Sequence, residues 1–332
     1  MLPTIVLLAV AALLPGAAAT ASSGGESFAP QGPKLLAEGE AGLARLGRGV
    51  ALSADGDTAI VGGPRDSGEA GAAWVFIRTS GEWSQQAKLQ APEGTNFFGR
   101  SVAMSADGST VVVGDPGSGK RTGTAWIFAR SGDAWRQQAR LTGAGERGAG
   151  QFGRSVAMAA DGATALIGAF NDNGGKGAAY TFERTGDAWA QSAKIAGAEE
   201  VGPSLFGRSV ALSGDGETAA IGGTGDDESV GAAWIFTKQE AGRWTQQGPK
   251  LTASDEAGAG EVGSATALSA DGSTALIGGS DDDARTGAAW VFTRGDGRWT
   301  QRGSKLRAGD EAGEAQFGYT LSLSADASTA LV

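Results

Sequence analysis

Beyond the first two dozen residues, the apolar positions fall in short alternating runs separated by polar, glycine-rich turns, a strand pattern with no helical period. The runs recur. Gly47, Gly99, Gly153, Gly207, Gly263 and Gly318 open successive copies of one unit, at spacings of 52, 54, 54, 56 and 55 residues. Each unit predicts four strands. The first, Ser101-Val102-Ala103-Met104-Ser105 in the second copy, ends at an Asp-Gly turn repeated at Asp55, Asp107, Asp161, Asp215 and Asp271. Asp-Gly between β-type runs signals a hairpin, because both residues tolerate positive φ. The second strand closes on Gly62, Gly114, Gly168, Gly222 or Gly278. A variable polar loop leads to a third strand carrying Trp74/Phe76, Trp126/Phe128, Tyr180/Phe182, Trp234/Phe236 or Trp290/Phe292. Two residues apart on a strand is one face, so each pair enters one packing layer. Trp83, Trp135, Trp189, Trp244 and Trp299 open the fourth strand.

Repeats of this length and strand content predict an all-β fold: a β-propeller of four-stranded blades, five complete plus a partial sixth closed by the N-terminal strand. The propeller runs over 28–332, with blades 47–98, 99–152, 153–206, 207–262 and 263–317 and a partial blade 318–332. The closing strand is read from Gln31-Gly32-Pro33-Lys34-Leu35, identical to Gln247-Gly248-Pro249-Lys250-Leu251 in a fourth-strand position. Because the sixth unit lacks its aromatic third strand, the expectation is either a six-bladed ring with one defective blade or, the favoured reading since Ala330-Leu331-Val332 breaks off before the closing glycine of other copies, a fragment of a longer chain. All 9 tryptophans and 9 of the 12 phenylalanines sit on repeat positions, which makes them core residues rather than sugar-stacking platforms. Phe28, Phe97, Phe170 and Tyr319 stand outside the pattern.

Met1 to Leu14 is an uncharged apolar run too short to span a bilayer, and Ala17-Ala18-Ala19 and Ala19-Thr20-Ala21 fit a signal-peptidase site. Residues 1–21 therefore read as a signal peptide, and the mature chain as secreted or extracytoplasmic with no membrane span. N-terminal sequencing of exported protein checks this; an intact Met1 contradicts it.

Composition narrows the chemistry. The 332 residues include no cysteine and no histidine, which removes disulfides, thiolate nucleophiles and the commonest general base. With 27 basic against 37 acidic residues the net charge is -10, which excludes nonspecific nucleic-acid binding. Lys34, Lys88, Lys194, Lys250 and Lys305 are themselves periodic, so none reads as a lone catalytic base. The acidic loop residues Asp172, Asp226, Asp227, Asp281, Asp282 and Asp283 are the calcium candidates, since hard oxygen ligands are dense there. A solvated charge-rich loop is the reading the sequence favours for them. Arg48, Arg100, Arg154 and Arg208 open four units; they line a shared anion site or, the favoured reading, pair within each blade. No residue is assigned a catalytic or cofactor-binding role.

Phe98-Gly99-Arg100-Ser101-Val102-Ala103-Met104-Ser105-Ala106-Asp107-Gly108, followed by Val111-Val112-Val113-Gly114-Asp115-Pro116, resembles the FG-GAP repeat, which builds the β-propeller of integrin α subunits. The likeness is nearest to the secreted bacterial type. It implies adhesion or ligand binding, with an extracellular protein or glycan as partner and no enzymatic activity. The full Gly-Ala-Pro is absent from every copy, and the calcium loop of many members is reduced to Ser-x-Asp-Gly, so the family's calcium sites do not carry over. Kelch and sialidase Asp-box repeats share fewer of these residues and also build propellers. The alternatives in function are a carbohydrate-active enzyme using loop carboxylates, or a structural spacer in a larger cell-surface protein.

Overall fold

The computed structural model describes residues 10–12, 30–91, 94–309 and 313–332. The signal-peptide reading of 1–21 lies, apart from 10–12, outside the described residues. Five antiparallel four-stranded sheets follow one another in sequence, each a meander in which neighbours in the chain are neighbours in the sheet. Blade III shows the plan: Ser155–Met158, Thr164–Ala169, Ala178–Thr185 and Ala188–Ile195. The sixth sheet has three strands, Ser322–Leu323, Thr329–Leu331 and Val10–Ala12 in the third place.

That last pairing revises the expected closure. Gln31 to Leu35 forms no strand, and its twin in blade IV leaves the ladder after Gln246, returning only at a Leu251–Ala233 bridge. Proline and the glycine before it break the run in both copies, since proline donates no ladder hydrogen bond. Leu35 still packs against the Trp74 and Phe76 cluster of blade I, the place Leu89 holds for blade II.

The Asp-Gly turns form as expected, with a different division of labour. Gly56 takes φ 71°, but Asp55 does not adopt positive φ. Its carboxylate instead accepts hydrogen bonds from Ser53 Oγ (2.5 Å) and the Asp57 amide (2.9 Å), holding the turn from outside. These turns also join blades: the amides of Ala54, Ala106, Ala160, Gly214 and Ala270 each donate to a carbonyl of the next blade at 2.8–2.9 Å. At the opposite end, sheets meet at glycine pairs. A Cβ on Gly168 would sit 2.1 Å from the Gly207 carbonyl oxygen, and Ser155 Oγ donates to that oxygen at 2.9 Å. Only glycine permits this approach, which explains the glycine closing each second strand.

The core lies between sheets. Trp74, Trp234, Trp290 and Tyr180 are fully buried, and Phe152 and Phe206, each the last residue of its blade, stack edge-on to the aromatic pair of the next blade at centroid distances of 5.4–5.9 Å. Trp135, Trp189 and Trp299 donate from Nε1 to Gln86, Gln138 and Gln247 of the preceding blade, each at 2.9 Å. The tryptophans are thus core and inter-blade fasteners. Among the described residues, no helix is long and apolar enough to cross a membrane.

Candidate functional site

Every first strand begins next to the axis of the ring. At its start a glycine in the left-handed region (Gly47, Gly99, Gly153, Gly207, φ 85–92°) turns the chain inward, and the next side chain is an arginine. Arg48, Arg100, Arg154 and Arg208 line one axial cavity of about 230 Å³, with Ser264 and Tyr319 in the equivalent positions of the last two units. Arg48 Nη2 donates to Tyr319 Oη at 3.1 Å, tying the first blade to the sixth sheet.

The favoured expectation, pairing inside each blade, is corrected here. Among the described residues the Arg100, Arg154 and Arg208 guanidinium groups make no ion pair or side-chain hydrogen bond; the sequence places no carboxylate on the innermost strands. The alternative, convergence on one place, is what the fold delivers. Glu261 feels the charge of this cluster: burial and Asp281 raise its pKa, against the pull of Arg208 and Arg285.

Burial and like charge act together on these guanidinium groups. Burial, then the charges of Arg208, Arg100 and Arg48, push Arg154 down to about 8; burial and Arg48 push Arg100 down to about 10. A guanidinium keeps its proton in proteins, so this environment favours a counter-anion. Tyr319 moves down although its burial acts upward, because Arg48 hydrogen-bonds to it and Arg48, Arg208 and Arg154 surround it with positive charge.

A second cavity of about 350 Å³ opens at the end where first strands begin and second strands finish. Arg48, Arg100 and Arg154 form its floor, and Arg45, Arg65 and Arg121 add charge at the rim. Of these, Arg65 has a carboxylate nearby, Glu69 at 3.6 Å. Phe97 and Phe170, two of the four aromatics outside the repeat, complete the wall, and the Arg154 and Arg208 guanidinium carbons lie 5.8 and 6.0 Å from the Phe170 ring centre. Tyr319, a third, is in the axial cavity; Phe28 lies outside the described residues. A larger cavity of about 450 Å³ lies at the seam between Lys34–Leu36 and blade I, with Lys34 and Glu40 of opposite sign and no like-charge cluster.

The calcium candidates are not brought together. Asp172, Asp226 and Asp282 are buried, one per blade, each paired with its blade's periodic lysine: Lys194 at 2.5 Å, Lys250 at 2.5 Å and Lys305 at 2.6 Å. Each also accepts a backbone amide, from Arg147, Val201 and Ala257 respectively. Asp66 and Lys88 repeat the arrangement in blade I. Asp227 and Asp283 lie beside them with positive φ, Asp283 pairs with Arg307 at 2.9 Å, and Asp281 lies 3.9 Å from Arg285. Among the described residues no three carboxylates form a metal-sized group. Sequence spacing carried a signal for these pairs: the aspartate and lysine recur together, 22 to 24 residues apart.

No curated protein matches the sequence. Among solved structures, hydrazine synthase from Kuenenia stuttgartiensis superposes with a TM-score of 0.52 at 11% identity, over 81% of this chain and 69% of that one, a likeness of fold alone. TolB from Acinetobacter baumannii gives 0.44 at 14% identity over 77% of this chain, which spans 55% of TolB. The FG-GAP repeat family matches residues 83–128, 135–182 and 189–236, consecutive stretches of the β-propeller that begin at the fourth-strand tryptophans Trp83, Trp135 and Trp189 and end in the third strand of the next blade. Residues 83–236 thus carry three consecutive FG-GAP repeats, and sheets of the same plan continue on either side of them.

Proposed function

We propose that the chain is a secreted, non-catalytic binding module that engages an extracellular protein or glycan, in an adhesive or ligand-capturing role, through the axial mouth of its propeller. One observation carries this reading. Aromatics that break the repeat, Phe97, Phe170 and Tyr319, gather with the converging arginines at the axis, while aromatics that obey it serve the blades. Function resides in sites rather than folds, and departure from a repeat is where a single site is expected.

The non-catalytic part rests on the carboxylates. Buried Asp66, Asp172, Asp226 and Asp282 are paired with lysines, Asp115 holds the Asn96 amide and the Thr124 hydroxyl, and Glu40, Glu146 and Glu256 each accept the amide four residues ahead, a repeated structural duty. The same pairing, which engages Asp172, Asp226 and Asp282 with lysines, supports a module that needs no calcium. A glycan and protein array, run beside a hydrolysis screen on the same purified chain, tests the proposal. Binding without turnover is expected; turnover abolished by one Asp or Glu substitution would overturn it in favour of the carbohydrate-active alternative.

A further inference from the structure

We propose that the axial arginine cluster is a binding site for a compact, multiply charged oxoanion, such as a phosphate or sulfate group, free or at the tip of a longer molecule. This inference rests on the binding-module reading and names the chemistry of its ligand.

Four observations converge. First, Arg45, Arg48, Arg65, Arg100, Arg121 and Arg154 line one cavity whose wall contains no Asp or Glu, in a chain whose net charge is -10. A cluster of one sign in an acidic protein is not a by-product of composition. Second, the guanidinium groups nearest the axis, Arg100 and Arg154, are half-buried and have no carboxylate of their own among the described residues. Four of the buried aspartates in this chain each have a lysine partner, as Asp66 has Lys88. Third, Phe170 lies under both Arg154 and Arg208, a ring contact that holds the two forks in place before a ligand arrives. Fourth, arginine supplies parallel N–H donors that match oxoanion geometry, and these come from three adjacent blades toward one volume of about 350 Å³.

The surrounding charge limits the class further. Glu261, at the end of the fourth unit, feels both Asp281 of the fifth and Arg208, while the cavity draws its arginines from the first three blades and the segment before them, so the positive region is a crescent rather than a full ring. A long polyanion laid across the face would meet that acidic side and the negative exterior. A compact group entering at the crescent meets only guanidinium, proline, glutamine and phenylalanine.

The test is calorimetric titration of the full chain at low salt with pyrophosphate, inorganic sulfate and a sulfated disaccharide, with thermal melting alongside. We expect saturable binding of at least one probe, weakening with added salt, and a rise in melting temperature on its addition. R154Q should weaken that binding at least tenfold, while R298Q, on an exposed fourth strand, leaves it unchanged. Without the anion, R154Q should melt no lower than the wild type, because it removes repulsion among guanidinium groups; this separates a lost site from a lost fold. Pyrophosphate or sulfate binding alone indicates a free ion, and binding of the sulfated disaccharide alone indicates a group borne on a sugar. No binding of any probe, or equal losses in R154Q and R298Q, would overturn the inference. Neither result bears on whether the chain hydrolyses glycans, so the two readings fail separately.

Discussion

Replacing Asp172 by alanine removes a carboxylate whose side chain is 1% exposed and which closes three interactions at once. Its Oδ1 accepts the Arg147 amide at 2.6 Å, and its Oδ2 accepts the Tyr180 hydroxyl at 2.9 Å and the Lys194 ammonium at 2.5 Å. Breaking a buried ion pair from one side costs about 3–5 kcal/mol, because the remaining charge keeps its desolvation without compensation. Lys194 is 32% exposed and can turn toward water, which places the ionic part at or below the bottom of that range. The Tyr180 hydroxyl cannot leave, and a buried unsatisfied donor costs about 1–3 kcal/mol. Together these give a loss of about 4 kcal/mol for Asp172→Ala. Asp172→Asn, which keeps an acceptor for Arg147, should lose about 2 kcal/mol. Urea unfolding followed by tryptophan fluorescence measures both, and Lys194→Met with the double variant completes a thermodynamic cycle. A coupling above about 1 kcal/mol is expected, unchanged between chelator and millimolar calcium. A loss below about 1 kcal/mol for the alanine variant, or a midpoint that rises with calcium only when Asp172 is present, would refute the structural role given to this carboxylate.

Asp115 is fully buried without a lysine partner, and burial raises its pKa from 3.8 to about 6. The folded state then binds the proton more tightly than the unfolded one, so stability is greatest below pH 4 as far as this group is concerned and falls as pH rises toward 6. Asp115→Asn should remove that slope, and subtracting the two pH–stability curves separates Asp115 from Glu146, which burial raises to about 7; identical curves would count against the assignment. Gly168→Ala puts a methyl against the Gly207 carbonyl and should lower stability by about 3 kcal/mol, the upper end of overpacking, whereas Gly32→Ala, with no atom within 4 Å, should change little in the same urea titration. Tyr319→Phe removes the hydrogen bond from Arg48 and should cost about 1 kcal/mol, read as faster hydrogen exchange where the first blade meets the sixth sheet; unchanged protection there would argue against that contact as a closing tie.

Much of the architecture was legible because it is periodic. The alternation in Ser155–Met158, the closing Gly168 and the Tyr180/Phe182 pair each recur, and each recurrence reports the same packing demand. The turn aspartates were legible as turn residues but not in their detailed role, since a carboxylate that accepts two hydrogen bonds and one that adopts positive φ look alike in sequence. Identity of Gln31 to Leu35 with a fourth-strand position does not bring pairing, because the proline interrupts the ladder in both copies. The acidic loops were read for their charge, whereas burial separates Asp172, Asp226 and Asp282 from their exposed neighbours. Spacing to the periodic lysines held that information, but only a hairpin of known register brings the two together.

The sequence by itself determined the repeat, the strand order within a blade and the assignment of the tryptophans to the core, because these follow from local periodicity and from side chains copied in every unit. It also marked Phe97, Phe170 and Tyr319 as exceptions without saying where they would meet. Only the tertiary structure decided that. Arg48, Arg100, Arg154 and Arg208 are each more than fifty residues from the next, and within any single blade nothing requires them to be near one another. Arranging the blades around an axis sends every first strand to the centre, so one residue per repeat becomes one cluster in space. The charge at that centre is a property of the ring, and no unit possesses it alone.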